Sequence, residues 1–367
     1  MPTLNIDTAD APDAIKQKLR ELSKTIAFEK QSKKGANGWL FFGHHAIRDQ
    51  RVAVKFYDWG GDPAFHAEPR SLCAIHSPNI IPVYEASFVD CDFAFFETPF
   101  FPRGDLDEEL CRGVLGNVRA LNLTRDILSG LSFLHAKRLL HRDLKPENIL
   151  LSDSDDAVIG DFGSVKLVPQ GHVTVPGSGH SLAYRPPESV TSGQYGTSGD
   201  IYQTGLVLYQ LLGGRLPYEE SAWLNQRELK EYRSVTDGVD RQIFANSCIK
   251  RKIERGAVVK LDSLPAWVCP QLKRAVSKAT SVDPAARYQS CSDFLARLAA
   301  IRSSISDWRV ENGAPIRRNG AEYRIMPVAN STRFHVQKKA GFNWRADNSF
   351  MATDIVGLVQ EIENKCR

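Results

Sequence analysis

The chain has 367 residues, of which 25% are charged and 42% are hydrophobic, and its formal net charge at pH 7 is +4. This composition is typical of a soluble globular protein, and the length exceeds that of one ordinary domain, roughly 100–200 residues. Seven cysteines without a Cys-x-x-Cys pair argue against a disulfide framework and against a clustered zinc site, and they favour reduced thiols in the cytosol.

No targeting or membrane segment is visible in the sequence. The first residues lack the basic start and apolar run of a secretion signal. The longest apolar stretch, 204–212, is far shorter than the ~20 residues needed to cross a bilayer. We therefore expect a cytoplasmic protein that has no membrane partner.

The first predicted element is a helix over residues 11–24. Asp10 can act as its N-cap, and Pro12 fits its first turn. Ile15, Leu19 and Leu22 recur at helical spacing and define one apolar face. We expect this helix to pack as an extension on the domain that follows.

A glycine-containing segment and a lysine come next, within a region (25–97) that alternates in strand fashion around one short helix. Gly35 and Gly38 precede Leu40, and Leu40 stands fifteen residues before Lys55 at the end of a predicted strand. Glycines in such a segment allow backbone N–H groups to approach phosphates without a Cβ clash.

The following segment contains two acids and two prolines that bear on its backbone structure. Glu68 is followed by Pro69, which fits only the first turn of a helix, so a helix here has to begin near Glu68. The apolar strand 93–97 ends in Glu97, and Pro99 has no N–H to donate.

The clearest chemical signal lies in residues 141–163. The sequence reads HRDLKPEN over 141–148 and DFG over 161–163. Phosphoryl transfer needs a carboxylate that meets the incoming hydroxyl, oxygen ligands for Mg²⁺, and a cation that offsets the charge on the transferred phosphate. Within roughly 20 residues, these groups are supplied by Asp143, Lys145, Asn148 and Asp161.

These two motifs resemble the catalytic and metal-binding loops of eukaryotic-type (Hanks-type) serine/threonine protein kinases. The resemblance covers about residues 25–301, and the segment 287–290 with its following apolar helix resembles bacterial members of the family. Further segments resemble family motifs and occur in the family's order: 33–40, 51–55, 77–80, 184–188, 200–205 and 283–288.

The resemblance implies an α+β fold with two lobes and ATP between them. A β-rich N-lobe would span 25–97 and a helical C-lobe 98–301, after an N-terminal helical extension at 1–24. Residues 302–367 lie beyond the resemblance and would form a small accessory module.

The resemblance also assigns roles to the chemical groups. Asp143 would accept or orient the proton of the substrate hydroxyl, and Lys145 would neutralise the γ-phosphate during transfer. Asn148 and Asp161 would hold Mg²⁺, or Mn²⁺ in its place, through oxygen atoms, which hard cations prefer. The resemblance therefore implies ATP and a divalent cation as cofactors.

The residues implied to bind the nucleotide come from both lobes. Glu68 would pair with Lys55, the carbonyl of Glu97 would accept a hydrogen bond from adenine, and Phe96 would occupy the gatekeeper position. Asp105 would either contact the ribose or act as a helix N-cap, and it stands two residues later than the family pattern suggests. The full predicted set is Gly35, Gly38, Leu40, Ala53, Lys55, Glu68, Glu97, Asp105 and Leu150.

The activation segment and the C-lobe give further expectations. Arg142 resembles the arginine of kinases whose activation segment is ordered by an added phosphate, with Thr174 and Ser178 as candidate sites. Ser181 would contact Asp143 and Lys145. We also expect a buried structural ion pair between Glu188 and Arg287.

Residues 218–264 make a long segment with two predicted helices, 219–233 and 239–255, of which the second places Val239, Ile243, Ile249 and Ile253 on one side. It would either elaborate the scaffold or dock a substrate.

The C-terminal module is predicted to be a β-hairpin followed by a helix. Strands at 323–328 and 333–337 flank a turn, 342–350 is a third strand or a turn, and 354–363 has helical spacing. The core candidates are Trp308, Phe334, Phe342 and Trp344.

Between residues 316 and 346 the sequence contains seven basic residues and one acid, Glu322. This strip would be a solvated face or a surface for an acidic protein partner. Nucleic acid, which basic residues interleaved with aromatics also permit, is the less favoured partner.

The sequence thus predicts ATP- and Mg²⁺-dependent phosphorylation of serine or threonine in unidentified protein substrates, with autophosphorylation of the activation segment. A pseudokinase scaffold that binds nucleotide weakly and a small-molecule kinase are the alternatives.

Overall fold

The computed structural model describes residues 4–32, 38–58, 73–177 and 181–366. Its first lobe is an antiparallel sheet of five strands in the order β1-β2-β3-β5-β4. The short helix predicted near Glu68 lies outside the described residues. The strands are β1 (Ile26–Gln31), β2 (Trp39–His45), β3 (Gln50–Asp58), β4 (Glu85–Phe88) and β5 (Phe93–Pro99).

The predicted N-terminal helix is confirmed as α1 (Asp13–Leu22). Its apolar face, Ile15, Leu19 and Leu22, is buried in one cluster with side chains from the sheet, including Phe41 and Phe56. The prediction that Asp10 caps this helix is wrong. Pro12 is the N-cap residue, because the Asp10 backbone N–H and carbonyl instead bind the side-chain amide of Gln31 on β1.

The second lobe is mainly helical, which confirms the predicted two-lobed α+β architecture. Helix α5 runs through its centre and is buried on all sides from Gly199 to Leu211, as expected for a helix that is apolar around its circumference. The helices are α2 (Leu106–Arg112), α3 (Asn117–Ala136), α4 (Pro187–Thr191), α5 (Thr197–Leu211), α6 (Gln226–Ser234), α7 (Gly238–Glu254), α8 (Pro270–Ala279) and α9 (Cys291–Arg302).

Short strand pairs frame the loops between these helices. They are β6 (Leu139–Leu140) with β9 (Lys166–Leu167), β7 (Ile149–Leu151) with β8 (Ala157–Ile159), and β10 (Val175–Pro176) with β11 (Gln194–Tyr195). Among the described residues, the helices are all too short or too polar to cross a membrane.

The segment 218–264 folds close to its prediction. Helices α6 and α7 occupy it, after a short 3₁₀ turn at Glu220–Trp223. The predicted apolar stripe on α7 is only half buried. Ile249 and Ile253 are buried, whereas Val239 and Ile243 are 67% and 58% exposed, because only the C-terminal half of the helix packs on the lobe.

The predicted ion pair between Glu188 and Arg287 is confirmed. Both terminal nitrogens of the buried Arg287 guanidinium donate to the Glu188 carboxylate at 2.7 Å. The same guanidinium donates to the carbonyls of Ser198, Ser281 and Val282 and lies 4.9 Å from the centre of the Tyr202 ring. Each of the three guanidinium nitrogens that the pair removes from water thus has at least one acceptor.

The C-terminal module is larger than the predicted hairpin. Two strands that the sequence analysis missed precede the predicted ones, and all five form an antiparallel sheet in chain order, backed by a helix. The elements are β12 (Trp308–Glu311), β13 (Ala314–Arg317), β14 (Tyr323–Pro327), β15 (Phe334–Ala340), β16 (Asn343–Ala346) and α10 (Ile355–Cys366).

The predicted core of this module is partly wrong. Trp308 is fully buried, together with Ile325, Val336 and Ile362. Phe342 is fully exposed, because it lies in the turn between β15 and β16. Trp344 lies on the sheet face opposite to α10, where its ring stacks against Arg324 at 4.7 Å.

The module packs directly on the helical lobe. The ring of Trp308 stacks on Trp267, with 6.3 Å between centroids and 22° between planes. The side-chain amide of the buried Asn117, at the start of α3, donates to the carbonyls of Trp267 and Ser306. A Cβ on Gly116 would lie 2.7 Å from the Trp308 carbonyl, so the two backbones meet in close contact.

The predicted basic strip of the module is partly neutralised. Arg318 binds Glu311 and Glu322, Lys339 binds Glu322 at 3.1 Å, and Arg317 lies 3.6 Å from Glu363 of α10. Among the described residues, the members of the strip that make no ion pair are Arg324, Arg333, Lys338 and Arg345.

Candidate active site

A cleft of about 900 Å³ lies between the two lobes. Leu40 and Ala53 line it from the sheet, and Leu150 lines it from the helical lobe. The cleft brings together these predicted site residues: Gly38, Leu40, Ala53, Lys55, Asp105, Lys145, Asn148, Leu150 and Asp161. Gly35 and Glu68 lie outside the described residues, and Glu97 does not line the cleft.

Gly38 marks where the chain enters β2 beside the cleft. Its φ of +127° is one that L side chains rarely adopt, and a Cβ there would lie 2.1 Å from the carbonyl oxygen of Phe56. The backbone of β2 and that of β3 therefore approach each other here only because the residue is glycine.

Lys55 and Asp161 form an ion pair across the cleft, with 2.5 Å between Nζ and Oδ1. Asp161 holds a left-handed backbone, φ +55°, and its carboxylate accepts the N–H of Gly163. Burial alone would raise the pKa of Asp161, but the ammonium of Lys55 outweighs it and lowers that pKa. The carboxylate is therefore ionised at neutral pH.

The loop 141–148 assembles a second polar group. The Lys145 ammonium lies 3.0 Å from the carboxylate of Asp143 and donates to the hydroxyl of Ser181 at 2.7 Å. The Asn148 amide nitrogen donates to the carbonyl of Asp143 at 2.7 Å and to its carboxylate at 3.1 Å. Because the amide nitrogen is used in this way, the Oδ1 atom of Asn148 stays available as a ligand for a cation.

Asp200, at the start of α5, holds the backbone of the loop 141–148 through hydrogen bonds. Its carboxylate accepts the N–H groups of His141 and Arg142 at 3.1 and 2.9 Å. It also contacts the His135 ring and the Tyr195 hydroxyl, each at 2.8 Å. The sequence analysis missed His135 and Tyr195, since neither belongs to a motif and both meet Asp200 only in the folded chain.

The contact between His135 and Asp200 shifts the pKa of both residues. Burial by itself would lower the pKa of His135, but the hydrogen bond to Asp200 dominates and raises the pKa to about 10. Asp200 is fully buried, and its pKa is lowered by the same contact. His135 and Asp200 thus form a buried ion pair at neutral pH.

Arg142 is buried as well. Its guanidinium donates to the carbonyl of Ser164 at 3.1 Å, and its Nε atom has no hydrogen-bond partner among the described residues. Burial lowers the pKa of Arg142. Thr174 donates to the side chain of Gln194, whereas Ser178 lies outside the described residues.

The prediction for Glu97 is wrong. Its side chain is 1% exposed and points away from the cleft, where it binds Arg48. Its carbonyl accepts the N–H of Tyr84 at 2.8 Å. The backbone of Glu97 therefore belongs to the sheet and does not face a ligand.

The segment that borders the cleft begins two residues later, from Thr98 to Pro102. Thr98 pairs with Ala53 across β3 and β5, so it takes the gatekeeper position that was predicted for Phe96. Phe96 also lines the cleft and packs at 6.1 Å on Phe162. With this register, the backbone carbonyl expected to bind adenine is that of Pro99. The backbone N–H expected to bind adenine, two residues later, is that of Phe101.

The shifted register explains two departures from the family pattern, the proline at position 99 and the late position of Asp105. The Phe101 N–H makes no hydrogen bond among the described residues, so it can donate to a ligand, and the missing N–H of Pro99 has no consequence. Asp105 is no longer two residues late. Asp105 lines the cleft and also caps α2, since its carboxylate accepts the Glu108 N–H at 2.8 Å, so both roles left open for it are compatible with its position.

The mouth of the cleft is acidic. Asp105, Asp107, Glu108 and Glu147 all line it. The Oε2 atom of Glu147 is buried without a hydrogen-bond partner among the described residues, and burial raises the pKa of Glu147.

Comparison with known proteins agrees with this geometry. The family model described as "protein kinase domain" matches residues 29–298. The serine/threonine-protein kinase PknL of Mycobacterium tuberculosis is 29% identical over 307 residues, which cover 81% of this chain and 70% of that protein. PrkC, a serine/threonine-protein kinase of Bacillus subtilis, is 27% identical over 266 residues, which cover 70% of this chain and 37% of that protein.

A plant protein gives a similar result. The CBL-interacting serine/threonine-protein kinase 5 of Arabidopsis thaliana is 28% identical over 263 residues, or 68% of this chain and 52% of that protein. The family model alone covers well over half of the chain. The chain therefore belongs to the protein kinase family, and it is similar to the eukaryotic-type serine/threonine kinases found in bacteria.

Proposed function

We propose that this kinase transfers the γ-phosphoryl group of ATP to serine or threonine residues of proteins, with Mg²⁺ as the metal. The observation that carries the proposal is the convergence of Lys55, Asp161, Asn148, Lys145 and Asp143 at one end of the cleft. Each of the groups that phosphoryl transfer requires is present there in an ionised or hydrogen-bonded form that suits its role.

The oxygen atoms of the cleft suit Mg²⁺. Asp161 offers an ionised carboxylate, and Asn148 offers the amide oxygen that its contact with Asp143 leaves available. Both are hard oxygen ligands, as this metal requires. When bound, Mg²⁺ would neutralise charge on the phosphates; the ammonium of Lys55, now paired with Asp161, would then be released to bind phosphate oxygens.

The protein's own side chains perform the remaining steps. Asp143 is positioned by Asn148 and Lys145 to orient a hydroxyl and to accept its proton. Lys145 bridges Asp143 and Ser181, so its charge is held where the transferred group would pass. The adenine edge would accept from the Phe101 N–H and donate to the Pro99 carbonyl.

The protein nature of the substrate is supported by two observations. The mouth of the cleft is open and acidic, which suits an extended peptide with basic residues. The curated relatives are named serine/threonine-protein kinases. Autophosphorylation of Thr174 is also part of the proposal, because Thr174 lies in the activation segment and, among the described residues, its hydroxyl bonds only one side chain, that of Gln194.

An acidic protein partner for the C-terminal module stays a prediction. Such a partner would meet Arg324, Arg333, Lys338 and Arg345, the basic residues that the ion pairs of the module leave available among the described residues.

The test is transfer of label from γ-labelled ATP to a generic basic protein and to the kinase itself. Wild type with Mg²⁺ should label both, whereas Asp143→Ala and Asp161→Ala should label neither while remaining folded, as judged by circular dichroism. A pseudokinase scaffold would bind nucleotide without labelling any protein. A small-molecule kinase would consume ATP only with a metabolite, and either result would contradict the proposal.

A further inference from the structure

A second pocket, of about 520 Å³, lies on the helical lobe and shares no lining residue with the interlobe cleft. Helix α8 contributes Arg274, Ser277 and Lys278, the following loop contributes Ser281 and Tyr288, and helix α9 contributes Arg297. Three cations and three hydroxyl groups thus meet in a pocket that no acidic side chain lines.

The three basic side chains have no partner of opposite charge in the described part of the chain. Arg274, Lys278 and Arg297 make no ion pair with any of the residues that the structure describes. Arg297 is half-buried as a whole residue, whereas Arg274 and Lys278 are exposed. An unpaired guanidinium in such a position favours an anion that can bind it through two oxygens.

Nearby acids do not neutralise the pocket. The carboxylate of Asp283 accepts the Ala285 N–H in its own loop. Asp293 precedes Arg297 by one helical turn, yet the two form no ion pair in the described structure. Helix α8 contains no Asp or Glu.

The floor of the pocket is rigid. The Tyr288 ring stacks on Phe294 with 4.2 Å between centroids and 6° between planes, and the Lys278 ammonium lies 4.8 Å from the Tyr288 ring centre. Tyr288 is buried. The cations are therefore presented around a fixed aromatic surface that connects α8 to α9.

We propose that this pocket binds the phosphate group of a phosphorylated serine or threonine on a protein. A phosphomonoester carries a charge of about −1.5 to −2 at pH 7 and three strong acceptor oxygens, which matches three cations and neighbouring hydroxyls. The confined charge suits one phosphate group, whereas nucleic acid needs cations along an extended track.

The enzyme's own chemistry supplies such ligands, and in this respect the inference rests on the proposed function. Each transfer to serine or threonine makes a phosphomonoester on a protein. Because the pocket and the cleft have no residue in common, a protein held by one phosphorylated residue could present a further hydroxyl to the cleft. The pocket would thus direct the kinase to proteins that are already phosphorylated.

The test is peptide binding to the full chain without nucleotide, so the outcome does not depend on catalysis. The probe is a fluorescent peptide of residues 170–177 that carries phosphothreonine at position 174, compared with its unphosphorylated form. The phosphopeptide should bind at least about tenfold more tightly, and Arg274→Gln and Arg297→Gln should each reduce its affinity by about tenfold, as expected for loss of a charged hydrogen bond.

Arg302→Gln, on the exposed end of α9 and outside the pocket, is the matched control and should bind like wild type. All variants should label a generic substrate at the wild-type rate. Equal binding of both peptides, or unchanged affinity in both pocket variants, would overturn the proposal. Binding of inorganic phosphate as tightly as the phosphopeptide would overturn the assignment to phosphorylated proteins. Arg274 is exposed, so its variant stays informative if Arg297→Gln fails to fold.

Discussion

Single residues decide how the two halves of the active site are held. Asp200 binds two successive backbone N–H groups of the catalytic loop, while Lys55 and Asp161 pair across the cleft. Buried charges of this kind are tolerated only when each has a partner. The same residues therefore determine both the geometry of the site and part of its dependence on pH.

The first prediction concerns the backbone donor at Phe101. Phe101→Pro should weaken adenine nucleotide binding by up to ~10-fold, because one net hydrogen bond of ~0.5–1.5 kcal/mol is lost. Phe101→Ala keeps the N–H and is the matched control for loss of the ring. Calorimetry should also show no tightening for Pro99→Ala. Tighter binding of that variant would instead support a donor position at residue 99.

The second prediction concerns the ion pair of His135 and Asp200. The pKa of His135 is raised to about 10 in the folded state and is ~6.5 in an unfolded chain. The pair therefore contributes fully to stability below about pH 6.5 and loses its contribution as pH rises toward 10. The free energy of unfolding in urea should fall between pH 7 and 9.5, by an amount on the order of a few kcal/mol.

His135→Gln is the control for this pH dependence, since glutamine can donate to Asp200 but does not titrate. Its stability should be lower than that of wild type at pH 7 and should fall less steeply toward pH 9.5. Parallel stability curves for the two proteins would show that other groups cause the pH dependence.

At the scale of elements, two segments outside the family match complete the folded body. Helix α1 covers the sheet face opposite to the cleft, and the C-terminal sheet covers the start of α3. Both bury aromatic side chains of the kinase lobes, including Phe41 and Trp267. Their removal would expose apolar surface that the lobes cannot cover by themselves.

The third prediction follows for the C-terminal module. Trp308→Ala should destabilise the protein by ~3–5 kcal/mol, the usual cost of removing a fully buried tryptophan. Trp344→Ala changes the same residue type on the opposite face of the sheet, where the ring is only half-buried, and should cost far less. Thermal unfolding measures both.

Deletion of residues 305–367 extends this test from one residue to the whole module. The truncated protein should melt at a lower temperature and lose activity on a generic substrate. If residues 302–367 instead formed a separate module that only docks a partner, truncation would spare generic activity. A truncated protein that is stable and active would support that view.

At the scale of the whole molecule, the lobes meet at the cleft through Lys55 and Asp161. A ligand that binds both lobes stabilises the folded state by RT ln(1 + [L]/Kd), which is ~2.7 kcal/mol at a hundredfold excess over Kd. ATP analogue and Mg²⁺ should therefore raise the melting temperature together by more than either does alone.

The fourth prediction concerns the stabilisation that Mg²⁺ adds to that of the nucleotide. In Asp161→Asn, Mg²⁺ should no longer add to the stabilisation by the nucleotide, because the ionised ligand is lost. In Lys145→Ala the added stabilisation should persist, since Lys145 is assigned to transfer and not to the metal. Differential scanning calorimetry gives both values, and an equal response of Asp161→Asn and wild type would argue against Asp161 as a ligand.

The sequence by itself determined the position of α1 and, through the family resemblance, the two-lobed fold and the candidate catalytic groups. Asp143, Lys145 and Asn148 lie within one short loop, so their spacing in the chain already implies their proximity in space. The apolar face of α1 could be predicted from helical periodicity, which does not depend on distant contacts. The pair of Glu188 and Arg287, which are 99 residues apart in the chain, was predicted from the resemblance to the protein kinase family. Each was found where the structure places it.

Only the tertiary structure decided three features: the register of β5 beside the cleft, the contacts of Asp200 with the loop 141–148, and the extent of the C-terminal sheet. A shift of two residues along β5 keeps the same side-chain alternation, so the pattern of the strand could not distinguish Glu97 from Pro99; pairing with β3 and β4 did. His135 lies 65 residues before Asp200 in the chain. Short strands such as β12 and β13 are stable only when the neighbouring strands and α10 cover them, which local sequence does not encode.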